Sequence, residues 1–258
     1  MSEIHPTAII NSQAQIGKGT RIGAYSIIGE NVFLGENCDI QEHVILRGHT
    51  TVGNNVKIFP FSVVGGEPQH LGYKGEPTTV SIGDDSILRE CVTVHRGTTF
   101  GIGKTVIGKK AYLMAYTHIA HDCLVGDNTI IANSVQLAGH VVIEDHVTIG
   151  GQSEVAQFCR VGRYCYVGGG STLRKDLPPF LVGKGNDFHV QGINIVGMER
   201  SGFSPLTIQK LKKLFKIFYM QKLTVSQAIE KVMVELGDTD EPKLFLDFVK
   251  TSKVGFIR

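Results

Sequence analysis

The chain has 258 residues, a formal net charge of +2, 31 glycines, five cysteines and no tryptophan. That balance excludes a polycation built for nucleic acid, and an odd cysteine count without a C-x-x-C spacing indicates neither a disulfide framework nor a zinc ribbon. The start, Met1-Ser2-Glu3-Ile4-His5-Pro6, lacks the basic and apolar segments of a signal peptide, and no run of about 18 apolar residues could span a bilayer, so a soluble, cytoplasmic protein is expected.

From Ile4 an aliphatic residue recurs at every sixth position: Ile10, Ile16, Ile22, Ile28, Leu34, Ile40, Leu46, Val52, Ile58 and Val64. The position four further on is small or β-branched, as in Ala14, Thr20, Ser26 and Val32. A period of six fits neither a helix nor an alternating strand; it is the internal repeat of a β-solenoid. Glycines just after the aliphatic residue (Gly17, Gly23, Gly29, Gly35, Gly53) are expected to supply tight or left-handed corners. The pattern lapses from Gly65 to Thr79, which reads as an ejected loop at about 65–81, and such excursions commonly map to a binding face.

Ile82, Leu88 and Val94 resume the phase. A second interruption near Phe100 to Thr105 shifts it by one residue, and a long run then extends from Ile107 through Ile119, Ile131 and Ile149 to Leu173. Three short strands per turn, about 18 residues per coil, would enclose a triangular aliphatic interior. Cys38, Cys123, Cys159 and Cys165 fall in the small fourth-step slot and read as buried, reduced filler. Pro178-Pro179 is expected to stop the strand structure.

From Ser204 the period becomes helical. Ser204 can cap and Pro205 suits the first helical position, with Leu206, Leu211, Leu214, Phe215 and Phe218 as an apolar stripe. Lys212, Lys213 and Lys216 share another face, within about 100° of arc, and are expected to meet solvent. A second helix starts after Thr224, with Gln227 completing a capping box, and stops at Gly237; a third is expected from Pro242, carrying Leu244, Phe245 and Phe248. The expected division is a solenoid over 1–190 and a helical domain over 191–258.

Several motifs follow one another in order: Gln69 in its loop, Thr93-Val94-His95-Arg96-Gly97-Thr98, His118-Ile119-Ala120-His121-Asp122-Cys123, Leu137-Ala138-Gly139-His140, Gln157-Phe158, Pro178-Pro179, and Gly192-Ile193-Asn194 through Gly202-Phe203. Together they resemble the UDP-N-acetylglucosamine 3-O-acyltransferases, which open lipid A synthesis, over nearly the whole chain. The resemblance implies a left-handed parallel β-helix with a small C-terminal helical domain. It also implies a homotrimer with sites between subunits, and a 3-hydroxyacyl group donated by acyl carrier protein to the sugar nucleotide, with no cofactor or metal.

Residues 18 apart should stack about 4.8 Å apart on one face. His121, Gly139 and Gln157 then form a column, with Asp122 beneath His140 in the next. Acyl transfer to a hydroxyl needs a base of suitable pKa and a donor aimed at the oxyanion of the tetrahedral intermediate. His121 as base and the Gly139 N–H as donor suit those needs, and the resemblance assigns these same roles, with Asp122 orienting His121. His118, His140 and Gln157 look like substrate-binding groups, and His95 belongs to a supporting motif. Gln69 matches an acceptor-binding position, Asn194 and Arg200 match nucleotide-binding positions, and Gly169 falls where relatives set acyl-chain length. The basic face of Lys212, Lys213 and Lys216 is the candidate docking site for the carrier protein. His146 belongs to no motif.

His70 and Gly72 stand where many relatives carry Asp and Lys, Ala156 replaces a frequent His, and Val196 and Ser201 replace residues often Glu and Arg. These departures lie near the expected acceptor, so a 3-amino analogue of the sugar nucleotide stays open as the acceptor. Two further classes compete: a zinc-dependent β-helix carbonic anhydrase using His118, His121 and His140, and a non-catalytic hexapeptide scaffold, which has no use for His121 and Asp122. The N-acyltransferase of the same pathway carries a domain ahead of its hexapeptides, whereas here the repeat begins at Ile4.

Overall fold

The computed structural model describes residues 2–237 and 240–258. Short strands wind into three sheets of 11, 9 and 8 strands, and until the last coil each is parallel to the strand three positions away in the chain. Ladder partners lie 18 residues apart, as Ile22 with Ile40 and Ile28 with Leu46. The spacing widens to 30 across the first loop and 25 across the second. The first loop therefore adds two hexapeptides' length and keeps the phase, while the second adds one residue more than a hexapeptide and shifts it.

The sixth-position side chains point inward: Ile40, Leu46, Ile58, Leu113, Ile131 and Leu137 are fully buried. Each contributes about 1.5–3 kcal/mol of apolar burial. The fourth-step slot has a second duty. Thr20 Oγ1 donates to the Gly35 carbonyl at 2.8 Å and accepts the Cys38 N–H at 3.0 Å, so one small side chain ties a corner to the next coil. Cys38, Cys123 and Cys165 make the same reach with a thiol, to the Gly53, Ala138 and Pro178 carbonyls. Burial pushes the Cys123 thiol up to about 12 and that of Cys159 to about 11, which keeps both as unreactive filler.

The glycines of the repeat act differently from expectation. Gly17, Gly23, Gly29, Gly35 and Gly53 do not take the left-handed conformation; a Cβ on Gly35 would lie 2.5 Å from the Gly53 carbonyl oxygen, and one on Gly23 2.6 Å from the Glu42 nitrogen. They are glycine because successive coils pass too close for a side chain. The left-handed residue comes two positions later and is usually not glycine: Tyr25, His43, Phe61, Asp122, His140, Phe158, His146 and Tyr164 all have φ between 57° and 69°. Stacking in columns offsets that strain. Tyr25, His43 and Phe61 stack at 5.2 and 5.1 Å, His140 on Phe158 at 4.7 Å, and His146 on Tyr164 at 4.6 Å.

Pro178-Pro179 does not end the strands. The two prolines lie in a corner, outside the ladder, where a missing N–H costs nothing. Strand Leu181–Lys184 then stacks on Tyr166–Val167 and turns back as the antiparallel strand His189–Ile193. Helices follow: α1 (Ile195–Arg200), α2 (Pro205–Phe215) continued by a π-turn over Lys216–Met220, α3 (Val225–Leu236) and α4 (Asp240–Lys250). Ser204 caps α2 and the Thr224–Gln227 box caps α3, as the spacing predicts. Leu206 is exposed rather than packed, and Ile208 takes the buried place. α4 begins at Asp240, ahead of Pro242, because Asp240 and Glu241 favour the positive end of the helix dipole. Arg160 fastens α4 to the solenoid, donating to the Phe248 carbonyl at 2.8 Å and to Asp176 at 3.0 Å. No described helix is long and apolar enough to cross a membrane.

Ile131→Asp would place an unpaired carboxylate in this aliphatic column, at a cost beyond the stability of a typical domain when added to the lost burial. The expected result is insoluble or unfolded protein; a soluble variant with a cooperative melt would mean the sixth-position residues do not form the core.

Candidate active site around His121

Strand His118–Ile119 pairs with Thr93–His95 on one side and Gln136–Leu137 on the other. Ile119 turns into the core, and the corner after it brings His121 and Asp122 together, 6% and 3% exposed. His121 Nδ1 lies 2.9 Å from Asp122 Oδ2. The carboxylate also accepts the Thr98 hydroxyl at 2.7 Å, the Thr98 N–H at 3.1 Å and the Gly103 N–H at 3.0 Å. A Cβ on Gly101 would collide with it. The second loop is thus a cradle shaped to Asp122. Burial by itself would raise the carboxyl pKa, but the bonds from Thr98 and His121 and the nearby His140 outweigh it and hold Asp122 below the usual carboxylate range. An ionised carboxylate only accepts, so His121 Nδ1 is the donor, and in the neutral ring Nε2 keeps its lone pair.

One coil on, Gly139 passes under the His121 ring; a Cβ there would lie 2.6 Å from the ring's Cε1, so only glycine fits. The backbone ladder uses the N–H groups of Ala138 and His140, bonded to Val155 and His121, and leaves that of Gly139 out. A cavity of about 490 Å³ opens here, lined by His121, Gly139, His118 and Gln69 among others. His140 stands edge-on to His121 at 5.1 Å, with its Nε2 4.0 Å from Asp122.

The surrounding histidines are held neutral. Burial, then the neighbouring His118 and His121, pushes His95 down to about 4; its buried Nδ1 has no partner among the described residues. Burial also lowers His118, whose Nδ1 is hydrogen-bonded to the Thr93 hydroxyl at 2.7 Å. In His140 burial again dominates, over the opposing pull of Asp122.

Not every candidate joins this wall. Gln157 is exposed, and it is Ala156 that lines the cavity, because the corner turns the next side chain outward. Gly169 lies outside it, where an added Cβ would come within 3.2 Å of the Gly151 carbonyl oxygen. Asn194 and Arg200 line a separate cavity of about 730 Å³ together with His146, Tyr166, Val196 and Ser201. There the Asn194 amide is already spent: it caps α1 by accepting the Gly197 N–H at 3.1 Å and donates to the Tyr164 carbonyl at 2.9 Å. Lys212, Lys213 and Lys216 flank a groove of about 800 Å³ that also includes Lys210, but Lys213 is paired with Glu235 at 2.9 Å, which reduces the free charge below that expected.

The metal-ligand spacing expected of the zinc reading is not met by three histidines. Among the described residues, the ligating atoms within 4.8 Å of one another belong to His121, Asp122 and His140. His118 is turned to Thr93, and both Asp122 oxygens are already accepting. The sequence reading missed the roles of Gly101 and Gly103 and of Thr98 as a cradle, although the one-residue phase shift in a glycine-rich stretch marks their place.

These shifts set a pH dependence of stability. In the unfolded chain the histidines titrate near 6.5, while folded His95, His118 and His140 stay neutral below it. The unfolded state therefore binds more protons as pH falls, so the stabilisation is complete above about 6.5 and declines toward about 4. Asp122 acts in the same direction lower down, losing its contribution as pH falls below the ordinary carboxylate range. Urea midpoints should be flat from about pH 8 to 7 and fall steadily from about pH 6.5 to 4, with a shallower fall in His95→Gln. A midpoint that rises on acidification would contradict the assignment.

Residues 176–257 match the family profile described as Udp N-acetylglucosamine O-acyltransferase, domain 2. Residues 14–48, 104–139 and 140–175 match the bacterial transferase hexapeptide profile. The acyl-(acyl-carrier-protein)–UDP-N-acetylglucosamine O-acyltransferase of Thermodesulfovibrio yellowstonii is 46% identical over 258 residues, 100% of both chains. A protein of the same name from Sulfurihydrogenibium is 50% identical over 255 residues, 99% of this chain and 94% of its own. The structure of LpxA from Acinetobacter baumannii superposes with a TM-score of 0.96 at 44% identity, over 99% of each chain. With identity of this order along its whole length, the chain belongs to the UDP-N-acetylglucosamine O-acyltransferase family of hexapeptide-repeat enzymes.

Proposed function

We propose that the protein transfers a 3-hydroxyacyl chain from acyl carrier protein to the 3-hydroxyl of UDP-N-acetylglucosamine, the first step of lipid A biosynthesis. The observation that carries the reading is the His121–Asp122 pair facing a cavity beside the unladdered Gly139 N–H. Asp122 holds Nδ1, so Nε2 of His121 takes the proton of the acceptor hydroxyl as its oxygen attacks the thioester carbonyl. The oxyanion of the tetrahedral intermediate meets the Gly139 N–H. Collapse breaks the carbon–sulfur bond, and the proton on His121 passes to the departing thiolate. No oxidant or cofactor enters the balance. Neutral His118 and His140 offer hydrogen bonds to the sugar without adding positive charge beside the base, and Gln69 sits at the rim, where the acceptor would enter.

In this reading the solenoid, 1–190, carries the chemistry, and 191–258 supplies recognition of the nucleotide and carrier. The Arg200 guanidinium suits a diphosphate, and Lys212 and Lys216, with Lys210, offer a positive groove to an acidic carrier protein. The His95 ring stands against that of His118 at 4.9 Å, exposed Gln157 is a further substrate-binding group, and Gly169 leaves room for the acyl tail. The His121 wall and the Asn194–Arg200 cavity lie apart within one chain, which fits a homotrimer whose sites take one half from each neighbour. The five free thiols fit a reducing, cytoplasmic compartment.

The test supplies acyl carrier protein loaded with 3-hydroxyacyl chains, with UDP-N-acetylglucosamine or its 3-amino analogue as acceptor, and reads products by mass. His121→Ala should lower turnover by about 10²–10⁴-fold in a folded trimer, and Asp122→Asn by less, since Asp122 orients rather than transfers. Near-normal turnover in folded His121→Ala would refute the assignment. Co-expressing inactive His121→Ala and Arg200→Ala chains should restore about a quarter of the sites if each site spans two subunits of a trimer; no recovery would place both halves in one chain.

A further inference from the structure

The first loop meets the His121 wall through one ring. His70 stacks on Phe100 of the second loop at 4.9 Å and 27°, and stands edge-on to His121 at 5.5 Å and 84°. Its Nδ1 accepts the Gly72 N–H at 3.1 Å. A nitrogen that accepts carries no proton, so the neutral ring holds its proton on Nε2. The fit is close: a Cβ on Gly72 would lie 2.9 Å from the Phe100 ring and 3.1 Å from His70 Cε1. The loop is tied again further on, where Arg96 donates to the Tyr73 hydroxyl at 2.8 Å and that hydroxyl donates to the Glu76 carbonyl at 2.8 Å.

Phe100, His70, His121, His140 and Phe158 thus form one run of contacting rings. The bond from His121 Nδ1 to Asp122 fixes one nitrogen, but the outer torsion of a histidine is broad and one hydrogen bond admits a range of tilts. Gly139, with no side chain, leaves room for the ring without bracing it. His70 and His140 are the rings that stand edge-on against it, at 5.5 and 5.1 Å.

We propose that His70 is a positioning residue for the transfer: its ring braces His121 so that Nε2 faces the cavity, and its anchorage keeps Gln69 at the rim. The kinetic consequence rests on the function proposed above; the structural consequence does not.

Two variants of the full chain separate ring from hydrogen bond. His70→Asn keeps an acceptor for the Gly72 N–H, a turn bond that Asn makes readily, and removes the ring. His70→Phe keeps the ring and removes the acceptor. With both substrates present, H70N should lose about tenfold or more in kcat while either KM stays within about twofold, because misaligning a base costs rate rather than binding. H70F should recover to within about threefold of the starting enzyme. Equal damage in both variants, or a loss confined to KM, overturns the proposal. The His121 ring-proton resonances, assigned from an H121Q spectrum, give a readout independent of turnover. They should move in H70N and return in H70F; resonances unmoved in H70N overturn the brace whatever the activity. Should the starting protein acylate neither acceptor while these resonances behave as expected, the transfer reading falls and the brace stands.

Discussion

Side chains 18 residues apart meet at the corners of this molecule because every coil repeats the same backbone path, and the site is assembled from that register. The corner requires one residue at positive φ and throws its side chain outward, over the side chain one coil away. Elsewhere the rule yields a stack such as Tyr25, His43 and Phe61. At one corner it yields Asp122, His140 and Phe158. The same device that stabilises the solenoid brings a carboxylate and an imidazole within 4.0 Å. The neighbouring column needs a glycine at 139 because His121 occupies the space above it. One insertion or deletion between Cys123 and Gly139 would separate His121 from Gly139 before it disturbed the core composition.

Burial alone would raise the carboxyl pKa of Asp122 and favour its neutral form. Four donors prevent this, and three of them come from the loop that breaks the repeat by one residue more than a hexapeptide. The second loop is therefore an electrostatic part, while the first carries His70 and Gln69 to the same place. A buried carboxylate kept ionised polarises His121, and neighbouring histidines kept neutral do not compete with it for positive charge. The arrangement separates protonation states within a few ångströms, the property that acid–base chemistry at neutral pH requires.

Much of this was legible in the residues. The period of six gave the coil, its aliphatic positions gave the core, and adding 18 to 121 and 122 found Gly139 and His140. What was not legible came from contacts between segments with no periodic relation. Thr98 and Gly103 hold Asp122 across a phase break, where spacing arithmetic stops. His70 reaches His121 from an ejected loop whose path the repeat does not specify. Gly23 and Gly35 were misread because a glycine looks the same whether it serves a left-handed turn or a close approach; only the neighbouring coil distinguishes them. The prolines at 178 and 179 were misread for a like reason, since a proline in a corner and a proline in a ladder share one letter. Asn194 matched a binding motif, and its amide proves to cap a helix.

The central claim is that the Thr98–Gly103 cradle keeps Asp122 ionised and so fixes the proton of His121 on Nδ1. Long-range ¹H–¹⁵N correlation of the His121 ring at neutral pH tests it most directly. A neutral ring protonated on Nδ1, with the lone pair on Nε2, is expected in the free protein; a ring that carries its proton on Nε2 would mean that Asp122 does not hold it.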